Sequence, residues 1–433
     1  MKYVKTGYSQ IPLISLLAML SISLTVNLPG LAISPIMDKL DQVFKNVTEL
    51  EVQLLTVLPN LVTIPFILCS GKICNEKNQM TVLGVGLAIY AVTGILYFFA
   101  RSMTALILLS CLLGVGCGLV IPLAASLISQ YFSGKERTKQ LGMKSSLSNF
   151  MVIFATIFVG WMASYNWHLA FIVYLVPLIP LALMRFMTPG YIVGHEIAMP
   201  GQKNVDPANS SPCRIADNSH NTRPLRQVMK FLFSLMGIYL TATFCVEAIS
   251  YYLPFSMPYY HLSSTKVGIV TALFFLGATL GGFFLTKVVR LLGHASMITG
   301  IAVCMAGLFV CGIFHTYFSY ICGVSMIGLG YGVVQPIIYD KTSTLAPDCK
   351  RLNSYFSYLL ACNYVGISLV PFVISGAEHL THQESNVNFA FIFNGCIMLV
   401  MLVIALVKHR SFVFDVDPTG YEEDPKLTTP PAK

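Results

Sequence analysis

The sequence predicts an all-α integral membrane protein with twelve transmembrane helices in two pseudo-symmetric six-helix bundles. Three observations carry that prediction: a shortage of charge, apolar windows of membrane-crossing length, and basic residues confined to alternate loops. Only 11% of the 433 residues are charged and 55% are hydrophobic, with a mean hydropathy of +0.71. Soluble domains are about 25% charged because their surfaces face water. Much of this chain must instead face lipid.

Crossing the hydrocarbon core of a bilayer takes about 20 apolar residues as helix. Windows of that kind, spans 1 to 12 in chain order, fall at 11–35, 52–71, 80–100, 104–130, 143–164, 168–187, 231–256, 266–288, 293–314, 317–339, 353–376 and 388–408. Barrel strands alternate apolar and polar residues, whereas Met80–Ala100 is apolar on every side. The first window is too long for the apolar region of a cleavable signal, and Asn27, Pro29 and Pro35 lead into no small-residue cleavage site.

Charge placement tests the count independently. With the N-terminus cytoplasmic, 23 of the 27 Lys and Arg fall on cytoplasmic segments, and only Lys39, Lys45, Arg101 and Lys266 fall outside. Short loops carry this bias in membrane proteins. It places both termini in the cytoplasm of a multi-pass protein, and the compact loops suggest a cell (plasma or inner) membrane. The net charge of +8 then answers to lipid and calls for no nucleic-acid partner. The cysteines, mostly inside spans, read as small packing residues.

The chain divides into a first bundle at 1–187, a cytoplasmic linker at 188–230, a second bundle at 231–410 and a cytoplasmic tail at 411–433. The polar, aperiodic linker is expected to be largely disordered. The bundles repeat each other. Gly114, Gly116, Gly118, Val120 and Pro122 match Gly328, Gly330, Gly332, Val334 and Pro336 at an offset of 214, which also carries Arg137 onto Arg351 and Asn149 onto Asn363. Such a duplication with matching topology gives two parallel repeats about an axis along the membrane normal.

These features resemble the major facilitator superfamily. The stretch Gly71-Lys-Ile73-Cys-Asn75-Glu-Lys77-Asn-Gln79 falls where the family carries Gly-x-Leu-x-Asp-Arg-x-Gly-Arg, with several positions replaced. The 282–294 loop resembles its second-half counterpart. Two features that the resemblance leads one to look for are missing. Ser110 stands where many proton-coupled members have an arginine, and Asn149–Trp161 lacks the proline of an antiporter motif. Both absences weaken proton coupling and drug-type antiport.

Of the 19 acidic residues, Glu247 is the one placed within a span, and no Lys, Arg or His is expected deep in a helix to pair with it. A carboxylate at that depth costs about 2.5–3.5 kcal/mol on insertion scales and is a functional candidate by default. The resemblance makes span 7 a cavity-lining helix, so Glu247, with Tyr251 one turn later, is expected to bind protons or substrate; the plainer alternative is a hydrogen bond to a neighbouring helix. Asn27, Asn60, Gln335 and Asn363 are further polar candidates, with Asn27 and Gln335 preferred because spans 1 and 10 would line the pathway; for each, interhelical hydrogen bonding is the simpler role. Gly114, Gly118, Gly328 and Gly332 are expected to allow close packing, and Pro122 and Pro336 to kink their helices. Gly71, Arg137, Arg351 and Asp340 form a loop or gating group, the arginines serving either as latches or as anchors to lipid headgroups.

The functional expectation is a secondary active transporter of a small solute, monomeric and without cofactor or metal, working by alternating access. Proton-coupled export through Glu247 is the leading form. An uptake carrier for a nutrient or organic anion and a non-transporting membrane sensor are the alternatives. An enzyme would need a polar cluster at one interface, for which His379 and His382 are meagre.

Overall fold

The computed structural model describes residues 2–7, 9–31, 49–75, 77–195, 197–198, 224–259, 261, 264–383, 386 and 388–416. Among them, ten helices are long and apolar enough to cross a membrane, and the shorter apolar helices Leu13–Thr25 and Val57–Ile73 occupy the places of spans 1 and 2. Asn46-Val-Thr48, which fits a glycosylation sequon, positions 199–223 of the linker and the tail beyond 416 lie outside the described residues.

In the first bundle, span 2 is Glu49–Ile73, span 3 Gln79–Tyr97, span 4 Met103–Tyr131 and span 5 Gly134–Tyr165. Span 6 is broken into a 3₁₀ segment Trp167–Leu175, helix Leu178–Leu183 and a 3₁₀ turn Met184–Met187. Pro177 and Pro180 cannot donate to a helical ladder, which accounts for the break. In the second bundle, span 7 is Leu225–Tyr259 and span 8 is Ser264–Phe283 continued by Leu285–Leu292. Spans 9 to 12 are Ser296–Ile313, Tyr317–Leu345, Cys349–Thr381 and Phe389–Val407. Side-chain caps start several of them: the Ser102 hydroxyl accepts from the Ala105 amide, and the Asp348 carboxylate from the Arg351 amide.

Several helices outlast their apolar windows. Span 5 begins at Gly134, so Arg137 lies in its first turn and not in a loop; Arg351 likewise lies in the first turn of span 11. Hydropathy reports the stretch that lipid touches, while a helix continues wherever its backbone bonds can form. Along span 5, Phe150, Phe154, Ile157 and Trp161 are exposed and Met151, Val152, Ala155 and Val159 are buried. That separation at helical spacing gives one face to lipid and one to protein.

The repeated glycines sit where helices nearly touch. A Cβ on Gly114 would lie 2.6 Å from the Pro59 carbonyl oxygen, and one on Gly118 2.5 Å from Phe66 Cβ, so span 4 presses on span 2. Gly328 and Gly332 press span 10 on Phe274 and Ala278 of span 8 in the same manner. Pro122 and Pro336 are buried inside helices that run on through them.

The departure from an all-helical chain is a small sheet. Strands β1 (Tyr3–Lys5) and β2 (Ser9–Pro12) form an antiparallel hairpin, and β3 (Ile197–Ala198) pairs with β2. The hairpin turns at Gly7, φ +96°, and Thr6 accepts from the Ser133 amide at 2.9 Å, fastening it to the start of span 5. Positions 189–194 are helical as well, so this part of the expected disordered linker is ordered. Short strands fixed by tertiary contacts leave no periodic signal to read.

The hairpin, the 2–3, 4–5, 8–9 and 10–11 connections and residues 411–416 share one end of the molecule, called the N-terminal face below. We predict that Gly332→Val, which drives side-chain atoms into the Ala278 backbone, destabilises by about 1–3 kcal/mol as overpacking does. Gly237→Ala, whose added Cβ meets nothing within 4 Å, should leave the melting temperature equal or slightly higher. Thermal unfolding of the purified variants in detergent checks both.

Candidate functional site between the two bundles

Cross-bundle contacts gather toward the N-terminal face. Span 2 meets span 11, where Ser354 Oγ donates to the Gly71 carbonyl at 2.8 Å and a Cβ on Gly71 would lie 2.5 Å from Ser357 Cβ. Span 5 meets span 8 in the matching way. Gly142 would carry a Cβ 2.5 Å from the Gly282 carbonyl oxygen, and Ser146 Oγ donates to the Thr279 carbonyl at 2.7 Å. Spans 2 and 8, like 5 and 11, are equivalents in the two repeats, so one seam is the image of the other. Deeper in the first seam, Asn353 bonds Ser126 and donates to Gln79 at 3.5 Å.

Among the described residues, one ion pair bridges the bundles here. Arg137 Nε donates to Asp340 Oδ1 at 2.7 Å, with side chains 9% and 16% exposed. Arg351, its repeat equivalent, pairs instead with Asp348 in its own bundle at 3.7 Å, half exposed. The expected symmetry of the two arginines is therefore broken. Arg137 spans the seam, and Arg351 stays on the surface.

Away from this face, span 1 breaks. At the 3₁₀ turn Ser23–Thr25, the residues after it and the short helix Leu28–Leu31, backbone oxygens accept from side chains of other spans. Backbone oxygens at membrane depth are satisfied from within the protein. Tyrosines supply the donors: Tyr90 of span 3 to Thr25 at 3.5 Å, Tyr174 of span 6 to Pro29 at 3.1 Å, and Tyr364 of span 11 to Val26 at 3.4 Å. The last crosses between bundles.

Opposite the break lies a second polar cluster. Gln335 Nε2 donates to Tyr239 Oη at 2.9 Å, which bonds Tyr339 Oη at 2.8 Å. Thr243 Oγ1 donates to Asn363 Oδ1 at 2.7 Å and lies 3.1 Å from Tyr331 Oη. Glu247 interacts electrostatically with Tyr239, Tyr251, Tyr331 and Tyr364. Ser250, one turn on, lies near its carboxylate, and Glu247 forms no ion pair with any described residue.

The sequence-derived candidates thus separate. Glu247, Tyr251, Gln335 and Asn363 fall in this tyrosine-rich region. Asn27, at the break, donates to Asn149 of span 5 at 3.4 Å. Since Asn363 ties span 11 to span 7 and Asn149 ties span 5 to span 1, the duplicated asparagines join equivalent helix pairs. Asn60 is half-buried on span 2, and His379 and His382 are exposed at the far end of span 11. The side chains of Pro254 and Pro258 lie outside the described residues.

One expectation is corrected. Lys144, counted from the sequence with the cytoplasmic loop cations although it stands at the start of the 143–164 window, lies inside span 5 and is only 2% exposed. Its Nζ stands 4.5 Å from the centroid of the Tyr339 ring across the seam, a cation–π arrangement. No acidic group among the described residues pairs with it. A buried lysine side chain is therefore present, joined through Tyr339 and Tyr239 to the cluster around Glu247. The signal that could have found it was its place in the 143–164 window, where Lys144 and Ser148, four residues apart, share one buried face of the helix.

Comparison with known proteins agrees with this geometry. The model of the Major Facilitator Superfamily matches residues 13–371 and 235–430. The chain belongs to that family, a family of membrane transporters and not of enzymes. It is 23% identical over 318 residues, 72% of this chain and 77% of the relative, to the uncharacterized MFS-type transporter YceJ of Bacillus subtilis (strain 168). A 103-residue stretch, 24% of this chain and 19% of the relative, is 30% identical to the multidrug transporter protein MdtP of the same organism. Among solved structures, the human organic anion transporter MFSD10 aligns with TM-score 0.63 at 13% identity, covering 90% of this chain and 97% of that one. The proton:xylose symporter XylE aligns with TM-score 0.70 at 13% identity over 94% and 96% of the two chains. At those identities the likeness is one of fold.

Removing one member of a buried ion pair costs about 3–5 kcal/mol because the other charge stays buried. Arg137→Ala and Asp340→Ala should each weaken closure of the seam, so that a thiol probe applied from the N-terminal face labels Ser357→Cys faster. The double variant should label no faster than the worse single one. Labelling rates in purified protein measure this.

Proposed function

We propose that the protein is a secondary active transporter that moves a small solute by alternating access, with Glu247 carrying the coupling proton and export as the direction. In this reading the N-terminal face is cytoplasmic, as the basic loops suggest, and the membrane is the cell membrane. The sealed seams then make the described arrangement closed to the cytoplasm. The observation that carries the proposal is Glu247: an ionisable group without an ion-pair partner among the described residues, set among tyrosines and near a broken helix where two bundles meet.

The chemistry follows from charge. A carboxylate in a region of low dielectric favours protonation when no cation neutralises it. Proton uptake would discharge Glu247 and loosen its hold on a cationic or hydrogen-bonding solute, while loss of the proton would restore it. Tyr251, Gln335 and Asn363 offer donors and acceptors for orientation. Opening toward the cytoplasm would separate Arg137 from Asp340 and part the seams at Gly71 and Gly142. The names of two similar proteins, a multidrug transporter and a proton symporter, are compatible with this reading.

A second reading is favoured by Lys144. A buried ammonium without an acidic partner would attract a carboxylate- or phosphate-bearing solute, and one structural neighbour is an organic anion transporter. Liposome flux assays separate the two. Under the proton-coupled reading, Glu247→Gln reduces proton-driven flux at least tenfold while solute exchange continues, and Lys144→Met has little effect on cationic and neutral solutes. Under the anion reading, Lys144→Met abolishes flux of organic anions and Glu247→Gln does not. Gradient-driven flux in Glu247→Gln equal to that of the wild type removes Glu247 from coupling.

A further inference from the structure

Spans 7 and 12 do not close on each other along their whole length. Toward the N-terminal face they splay around a cavity of about 680 Å³, within the range of about 300–1,000 Å³ typical of small-molecule sites. One wall is a stripe of span 7 at helical spacing: Lys230, Ser234, Gly237 and Thr241. The other is a stripe of span 12: Ile397, Met401, Ile404 and Lys408. The turn after span 12 closes the end, with Val413 and Phe414 buried against it.

Two properties identify the occupant. The first is polarity graded along the groove. Its depth is mostly apolar, with the hydroxyls of Ser234 and Thr241 on the span 7 wall, and its charges, Lys230 and Lys408, sit at the mouth nearest the N-terminal face, with no carboxylate among the lining residues. Both lysines are exposed, and neither has an acidic partner among the described residues. The nearby Asp415 is engaged by His294. The second is Gly237, where an added Cβ would meet nothing within 4 Å. Unlike the glycines of spans 4 and 10, it brings no helix closer and leaves room in the wall.

We infer that this groove binds an anionic phospholipid, its phosphate between Lys230 and Lys408 and one acyl chain running between spans 7 and 12. Basic pockets between helices at the membrane surface recognise anionic headgroups, and a long apolar slot opening to the bilayer accepts a chain that is already there. The site lies on the outer side of span 7, away from Glu247, and does not depend on the transport reading. Since span 7 carries Glu247 on its other face, the lipid touches a helix of the candidate transport site.

Native mass spectrometry of the delipidated full-length protein tests the inference, with 1-palmitoyl-2-oleoyl phosphatidylglycerol and its phosphatidylcholine counterpart added in equal amounts. The wild type should retain phosphatidylglycerol at least fivefold over phosphatidylcholine. Lys230→Glu/Lys408→Glu should lose that preference while keeping the wild-type elution volume and melting temperature. Gly237→Phe, filling the slot without touching a charge, should lower retention of both lipids. A photoactivatable phosphatidylglycerol should label spans 7 and 12 in the wild type, and Gly237→Phe should abolish that labelling. Equal retention of the two lipids by the wild type, or unchanged preference in the lysine variant, or labelling confined to other spans, would overturn it.

Discussion

The structure depends on how closely two bundles approach at one face. Helices separated by ordinary side chains stand about 8–10 Å apart, but at Gly142–Gly282 and Gly71–Ser357 there is no space for another carbon. Contacts that tight are either made or broken, because packed interfaces do not deform continuously. The Arg137–Asp340 pair is held in the same seam. A charge pair placed there joins the separation of the bundles to an electrostatic cost, which suits a gate better than a permanent joint.

Deeper in, the problem changes from sterics to polarity. Around the break in span 1, tyrosines from three other spans donate to backbone carbonyls. Tyrosine suits the task because its ring packs like a hydrocarbon while its hydroxyl reaches a polar partner. The same residue type then continues the region, through Tyr331, Tyr239 and Tyr339, from Glu247 to Lys144. Two ionisable groups of opposite type, neither with an ion-pair partner among the described residues, thus sit at the ends of one tyrosine path, on different bundles. Any motion of the bundles changes the surroundings of both.

The duplication was readable because symmetric packing requires small residues at equivalent places: the offset of 214 placed the glycines of spans 4 and 10 before any contact was known. Glu247 was readable because a carboxylate in an apolar window is conspicuous. Lys144 was not, since a lysine at the edge of an apolar window reads as a loop or headgroup residue unless the helix is known to run on to Gly134. The unequal roles of Arg137 and Arg351 were equally hidden. Repeats are equivalent in sequence, but Asp340 stands opposite one arginine only, and that is a property of the assembled seam. The β1–β2 hairpin and its pairing with β3 depend on contacts between segments nearly 190 residues apart, which no local pattern announces.

The central claim is that the seam between bundles at the N-terminal face opens and closes during the working cycle. Spin labels at Lys72→Cys and Lys350→Cys, both exposed on opposite sides of the span 2–span 11 contact, report it by electron–electron distance measurement in liposomes. The account predicts a short-distance population that gives way to a longer one when the pH is lowered or a transported solute is added. A single distance, unmoved by either, would mean that the bundles are fixed and that this face is no gate.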